Sequence, residues 1–185
     1  MPATTIRPLA PDDAAAYRAL RLAGIAELPA AFCTTHAAES AVPLAQMAQR
    51  LRAGPHQIIF GTFDGARLTG IAGLRREAIA VVHDKASLWG VYVAPQARGL
   101  GAGRQLVQAA IAHACSVPEL GRVRLAVAQD NHAALNLYLG CGFSLADSPA
   151  SDGMLQMQLL LPRPARASAE SNVFMKINTL QIPAK

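Results

Sequence analysis

The chain has 185 residues, of which 52% are hydrophobic and 16% charged. That composition excludes general disorder and fits one ordinary domain with a real core. The net charge is +5, which reads either as a solvated basic surface or as attraction to an anionic ligand. No dense Lys/Arg run with interleaved aromatics occurs, so no nucleic-acid partner is expected.

Cys33, Cys115 and Cys141 are odd in number and lack metal-type spacing, which favours reduced thiols and a cytoplasmic location. His36, His56, His83, His113 and His132 show no ligand spacing either, so no metal is expected. The first residues hold no apolar core of signal-peptide length. No apolar run approaches ~18 residues, and no membrane span is expected.

Thr4 to Leu9 reads as a first strand, stopped by Pro8 and Pro11. Pro11-Asp12-Asp13 starts a helix, with acids facing the positive dipole end. Tyr17, Leu20, Arg21 and Gly24 continue it at helical spacing up to Pro29. A second helix covers Pro43 to Leu51, with Leu44, Met47, Ala48 and Leu51 on one face. Gln57 to Phe63, the turn Asp64-Gly65 and Arg67 to Leu74 form a hairpin. A further strand end is expected around Ala78 to Val82, and Ser87 to Val93 is a strand closed by Pro95.

Arg104 to Cys115 is a helix whose stripe is Val107, Ala110, Ile111 and Ala114. Val123 to Val127 is a buried strand. A helix then runs from its cap Asn131 to about Cys141, ended by Gly142. Met154 to Leu161 gives a last strand. Residues 1–161 thus form the domain. Residues 162–185 form a Pro/Ala/Arg/Ser-rich tail expected to be loosely ordered, with Val173 to Ile177 able to add a strand.

The run Val93-Ala94-Pro95-Gln96-Ala97-Arg98-Gly99-Leu100-Gly101-Ala102-Gly103-Arg104 joins a strand to an amphipathic helix through glycines. Glycines let the backbone approach a ligand closely, and the unpaired N–H groups at the helix start make an anion site suited to a pyrophosphate. Arg98 and Arg104 add positive charge there, although Arg98 also reads as a solvated loop residue. A Rossmann fingerprint needs Gly or Ala where Arg104 stands, and a P-loop needs Gly-Lys before Ser or Thr, which the chain lacks.

Arg98-Gly99-Leu100-Gly101-Ala102-Gly103 instead resembles the acyl-CoA loop of the GNAT superfamily of N-acetyltransferases, Arg/Gln-x-x-Gly-x-Gly/Ala, at every fixed position. A second block resembles that family's next motif, in the right order: Val127 through Asn131-His132-Ala133-Ala134, then Leu137-Tyr138 and Gly142-Phe143. The strand Leu88-Trp89-Gly90-Val91-Tyr92-Val93 and the opening Ile6-Arg7-Pro8-Leu9 with Leu20-Arg21 are similar as well. The resemblance covers about residues 4–161.

It implies an α/β (α+β layered) fold. A central mixed, mostly antiparallel sheet of about six to seven strands, splayed in the middle, would be flanked by about four helices. It implies acetyl-CoA as co-substrate, an amine acceptor and direct acetyl transfer. Pantetheine amides would pair with the backbone at Val91 and Val93. The pyrophosphate would sit on Gly99, Leu100, Gly101, Ala102, Gly103 and Arg104, Asn131 would contact the cofactor, and Tyr138 would approach its sulfur. The resemblance leaves a homodimer open.

The chemistry of the residues agrees. Splayed backbone must be satisfied by a ligand, and an N–H near Val91 would polarise the thioester carbonyl. A phenol near pKa 10 can protonate a thiolate near 8.5, mildly uphill in water. Tyr138 also reads as a core or rim tyrosine, and Asn131 as a plain helix cap. No base is assigned; Glu27, Glu39, Glu77, His83 and Asp84 are the carboxylates and imidazole nearest the site. The short, Ser/Ala-rich stretch Ser144 to Gly153 suggests a reduced or open wall. The acceptor is expected to be a small molecule or peptide amine. A non-catalytic acyl-CoA-binding or regulatory module is the other reading, and a basic nucleic-acid-binding domain a distant third.

Overall fold

Strand alternation sorts the apolar side chains into two cores, one on each face of a central sheet. The computed structural model describes residues 4–77, 84–147 and 152–162. The expectations for Ala78 to Val82, His83, most of the tail and the middle of Ser144 to Gly153 lie outside these residues.

The sheet contains β1 (Thr5–Pro8), β2 (Gln57–Asp64), β3 (Arg67–Arg76), β4 (Lys85–Val93), β5 (Arg122–Ala128), β6 (Ser144–Leu145) and β7 (Met154–Leu160). Their spatial order is β1-β2-β3-β4-β5-β7-β6. The helices are α1 (Ala14–Glu27), α2 (His36–Ser40), α3 (Leu44–Arg50), α4 (Ala102–Cys115) and α5 (His132–Leu139). Neighbouring strands are antiparallel except β4 and β5, which run parallel. A parallel pair needs a long crossover, and α4 supplies it. The expected fold class is therefore present, with seven strands and with α2 as a helix the sequence did not suggest.

On one face, Ala72, Leu74, Ala86, Leu88, Val123 and Leu125 pack against Leu106, Val107, Ala110 and Ala114 of α4. On the other, Ile59, Phe63, Ile71 and Tyr92 pack against Tyr17 and Ile25 of α1 and against Met47 and Leu51. Each large apolar side chain fully buried here contributes about 1.5–3 kcal/mol.

Several expected details differ. α4 starts at Ala102 rather than Arg104, and its buried stripe is Leu106, Val107, Ala110 and Ala114, with Ile111 at the half-buried margin of that face. Leu44 at the start of α3 is exposed, while Met47 and Leu51 of the same stripe are buried. The first helix begins with a 3-10 turn over Pro11–Asp13 before α1 proper.

α2 exists because Thr35 caps it, its Oγ1 accepting from Ala38 N at 3.2 Å, and because it carries Glu39 inward. Glu39 is buried, and its Oε1 accepts from Arg21 Nε at 2.7 Å and from Arg50 Nη1 at 3.1 Å. This triad ties α1, α2 and α3 together.

Candidate active site

β4 and β5 are paired only at Lys85–Arg122, Ala86–Val123 and Ser87–Arg124. Beyond Ser87 the strands part, and a cavity of about 520 Å³ opens between them. The β3 side of β4 is irregular as well. Ile71 pairs with Tyr92 and Gly73 with Trp89, so Ala72 faces both Gly90 and Val91. Gly90 sits in the left-handed region at φ +60°, as a bulge with glycine at its first position requires. The bulge turns β4 away from β5 and leaves Val91 lining the cavity.

The loop after β4 presents Gly99 at φ +76° and Gly101 at φ +82°. A Cβ at either would meet nothing within 4 Å, so a ligand could lie directly on the main chain. Gly101 is the N-cap of the 14-residue α4. The first N–H groups of that helix and its dipole make this end an anion-binding terminus. Leu100 is exposed beside it.

The two loop arginines, both exposed, each have partners within the protein. Arg98 Nη1 and Nη2 donate to the two Glu27 carboxylate oxygens at 2.7 and 2.8 Å, and Arg98 Nε donates to Val93 O at 2.9 Å. The Tyr92 hydroxyl donates to Glu27 Oε2 at 2.8 Å. Arg98, first in line, and Tyr92 hold the Glu27 carboxyl below its ordinary range. Arg98 thus fastens the loop to the end of α1, and its charge is largely compensated there. Val93 O keeps one lone pair for another donor. Arg104 Nη1 donates to Gly140 O at 2.8 Å, a cation at the C-terminal end of α5.

Asn131 is the cap of α5, its Oδ1 accepting from Ala134 N at 3.1 Å, and it also lines the cavity. Tyr138, near the other end of α5, lines the same cavity, buried, with its ring edge-on to Phe143 at 5.9 Å. Burial pushes its phenol up to about 12, with a smaller contribution from Cys141. It therefore remains protonated at neutral pH.

Of the acid–base candidates, Glu27 is bound to Arg98 and Tyr92, Glu39 is buried under Arg21 and Arg50, and Asp84 stands 3.7 Å from Arg122. Glu77 lines the cavity and accepts from Ser87 Oγ at 2.8 Å. Sequence reasoning missed the bulge at Gly90 and the Glu27–Tyr92–Arg98 clamp. A lone glycine inside a strand pattern is a bulge signal. The clamp left none, because Glu27 and Arg98 are far apart in the chain.

The model of the acetyltransferase (GNAT) family matches residues 23–143, more than half of the chain and every residue of this site except those that β7 contributes. The chain belongs to the acetyltransferase (GNAT) family. Among solved structures, this GNAT chain is similar to a GNAT-family acetyltransferase from Streptococcus pneumoniae, with 22% identity over 86% of this chain and 100% of that one, at a TM-score of 0.73. It is similar to the PaiA N-acetyltransferase of Thermoplasma acidophilum, solved with coenzyme A, at 18% identity, 85% and 99% coverage and a TM-score of 0.68. It also resembles yncA, a putative acetyltransferase from Salmonella typhimurium solved with acetyl-CoA, at 22% identity, 90% and 99% coverage and a TM-score of 0.67. At these identities the likeness concerns the fold. No curated protein sequence matches the GNAT chain.

Proposed function

We propose that the protein is an acetyl-CoA-dependent N-acetyltransferase acting on a small-molecule or peptide amine. The observation that carries this reading is the parting of β4 and β5 beyond Ser87 into a cavity that has Tyr138 on its wall. Two of the solved structures similar to it hold CoA or acetyl-CoA by their descriptions.

In this reading the pantetheine amides pair with the backbone at Val91 and Val93, and the pyrophosphate lies on Gly99, Leu100, Gly101, Ala102, Gly103 and Arg104. The open space over Gly99 and Gly101 supports the second assignment. Arg98 acts by fixing the loop through Glu27 more than by touching the phosphates itself. Asn131 serves both as cap and as a polar group facing the cofactor.

The amine nitrogen attacks the thioester carbonyl; a C–N bond forms and the C–S bond breaks. The N–H near Val91 stabilises the developing oxyanion. Tyr138 gives its proton to the departing thiolate and regains one from the acylated nitrogen through water. A phenol at about 12 is a poor donor to a solvated thiolate near 8.5. The thiolate, however, would leave beside the same buried phenol, where partial desolvation raises its own pKa. The matching of the two groups is what makes the transfer workable. The reaction is placed in the cytoplasm, where the free thiols Cys33, Cys115 and Cys141 stay reduced.

The test is free-thiol release from acetyl-CoA with an amine panel, beside calorimetry with acetyl-CoA, desulfo-CoA, free CoA and NAD. CoA compounds alone should bind, and at least one amine should release thiol. Binding without turnover on any amine would make the protein a non-catalytic acyl-CoA module instead.

A further inference from the structure

The sheet face that carries the acceptor side of the cavity has an unusual floor. Ala86 and Leu88 of β4 and Val123 and Leu125 of β5 point to the α4 core. By alternation, Lys85 and Ser87 of β4 and Arg124 of β5 point the other way, and all three line the cavity together with Glu77, Trp89 and Gln156. α1, α2 and α3 cover β2, β3 and the Trp89–Tyr92 part of β4 on this face, so among the described residues this polar floor faces the cavity, with Leu28, Ala31 and Cys33 on its rim.

The charges on that floor are unequal. Glu77 is the carboxylate among the described lining residues, and it already accepts from Ser87 Oγ. Lys85 and Arg124 are both half-buried, and neither side chain has an ion-pair or hydrogen-bond partner among the described residues. By contrast, Arg7, Arg21, Arg50, Arg98 and Arg122 all have a carboxylate within 4 Å. A half-buried cation lining a cavity with no carboxylate beside it is available to pair with an anionic group of a ligand.

We infer that Arg124 and Lys85 form a subsite for an anionic group on the acceptor, so that the acceptor is an amine with a carboxylate at its far end. This rests on the acetyltransferase reading above and names the acceptor class for that same cavity. A polyamine is disfavoured, since its second ammonium would meet two cations. Spacing narrows the class further. The run from Ser87, level with Arg124, to Val91 spans about 13 Å at roughly 3.3 Å per residue. Both long side chains cover part of that span. The carboxylate therefore sits several bonds from the reacting nitrogen, as in an ω-amino acid or a short peptide, rather than on the same carbon.

The experiment compares 6-aminohexanoate, its amide and 1,6-diaminohexane as acceptors at saturating acetyl-CoA. With the wild-type protein, kcat/KM for the acid should exceed that for the amide by about tenfold, with the diamine last. Arg124→Gln should erase the difference through KM while leaving kcat within about twofold and acetyl-CoA affinity unchanged. Arg124→Glu should invert the order in favour of the diamine, which a merely structural role would not do. Lys85→Glu repeats the inversion from the other strand should an Arg124 variant not fold. Equal use of acid and amide, a preference for the diamine, or an order unchanged by charge reversal overturns the subsite while the acetyltransferase reading stands. No turnover on any amine overturns both.

Discussion

Arg98 and Glu27 face each other through two hydrogen bonds of 2.7 and 2.8 Å, joining the glycine loop to the last residue of α1. Tyr92 adds its hydroxyl to the same carboxylate. The loop is thus held from the end of α1, through a carboxylate that lies outside the loop itself.

Glu27→Gln is expected to weaken acetyl-CoA binding about three- to tenfold, read by calorimetry. Global stability should change by less than about 0.5 kcal/mol, because the pair is exposed and screened. The Glu27 pKa is depressed in the folded protein. Its contribution is therefore complete above the ordinary carboxylate range and is lost as pH falls through the lower, folded value. Acetyl-CoA affinity should fall in the same acidic window in the wild type and stay flat there in Glu27→Gln.

Tyr138→Phe should lower kcat by about 10²-fold while keeping KM for acetyl-CoA within about twofold, since the edge-on contact with Phe143 survives. With the phenol up at about 12, its acid form persists through the working range. The wild-type kcat profile should therefore show no descending limb between about pH 7 and 10. Equal thiol-release rates in wild type and Tyr138→Phe would remove the residue from the reaction.

Gly101→Ala places a Cβ at φ +82°, a strain of about 1–2 kcal/mol, and fills the space over the loop. It should lose acetyl-CoA affinity at least about tenfold. Gly65→Ala, in the β2–β3 turn at φ +58°, carries the same kind of strain and should leave affinity untouched. Equal affinity losses in the two variants would show that strain, not the cradle, is being read.

Glu39→Ala should destabilise the fold by about 3 kcal/mol or more in urea denaturation, because it leaves Arg21 buried and unpaired. The double variant Glu39→Ala, Arg21→Met should recover much of that loss. Since Arg21 also packs against Trp89 and the Gly90 bulge, acetyl-CoA affinity of the folded fraction should fall as well, read by calorimetry.

What the amino-acid order determined by itself was local. Gly99 and Gly101 let the backbone bend, Asn131 caps α5, and a glycine stops that helix, at Gly140 rather than at the expected Gly142. Each of these follows from a residue and its near neighbours, and each is found in the structure. The motif at residues 98–103 was legible for the same reason.

Tertiary structure decided which of these groups meet. Glu27 reaches Arg98 only because α1 lies against β4. β4 separates from β5 only because pairing ends at Ser87 and a bulge at Gly90 redirects the strand. Arg124 and Lys85 come to share one cavity floor through a parallel pairing made across the whole of α4. Such encounters depend on the path of the chain between the partners, and side-chain chemistry read along a line carries no record of that path.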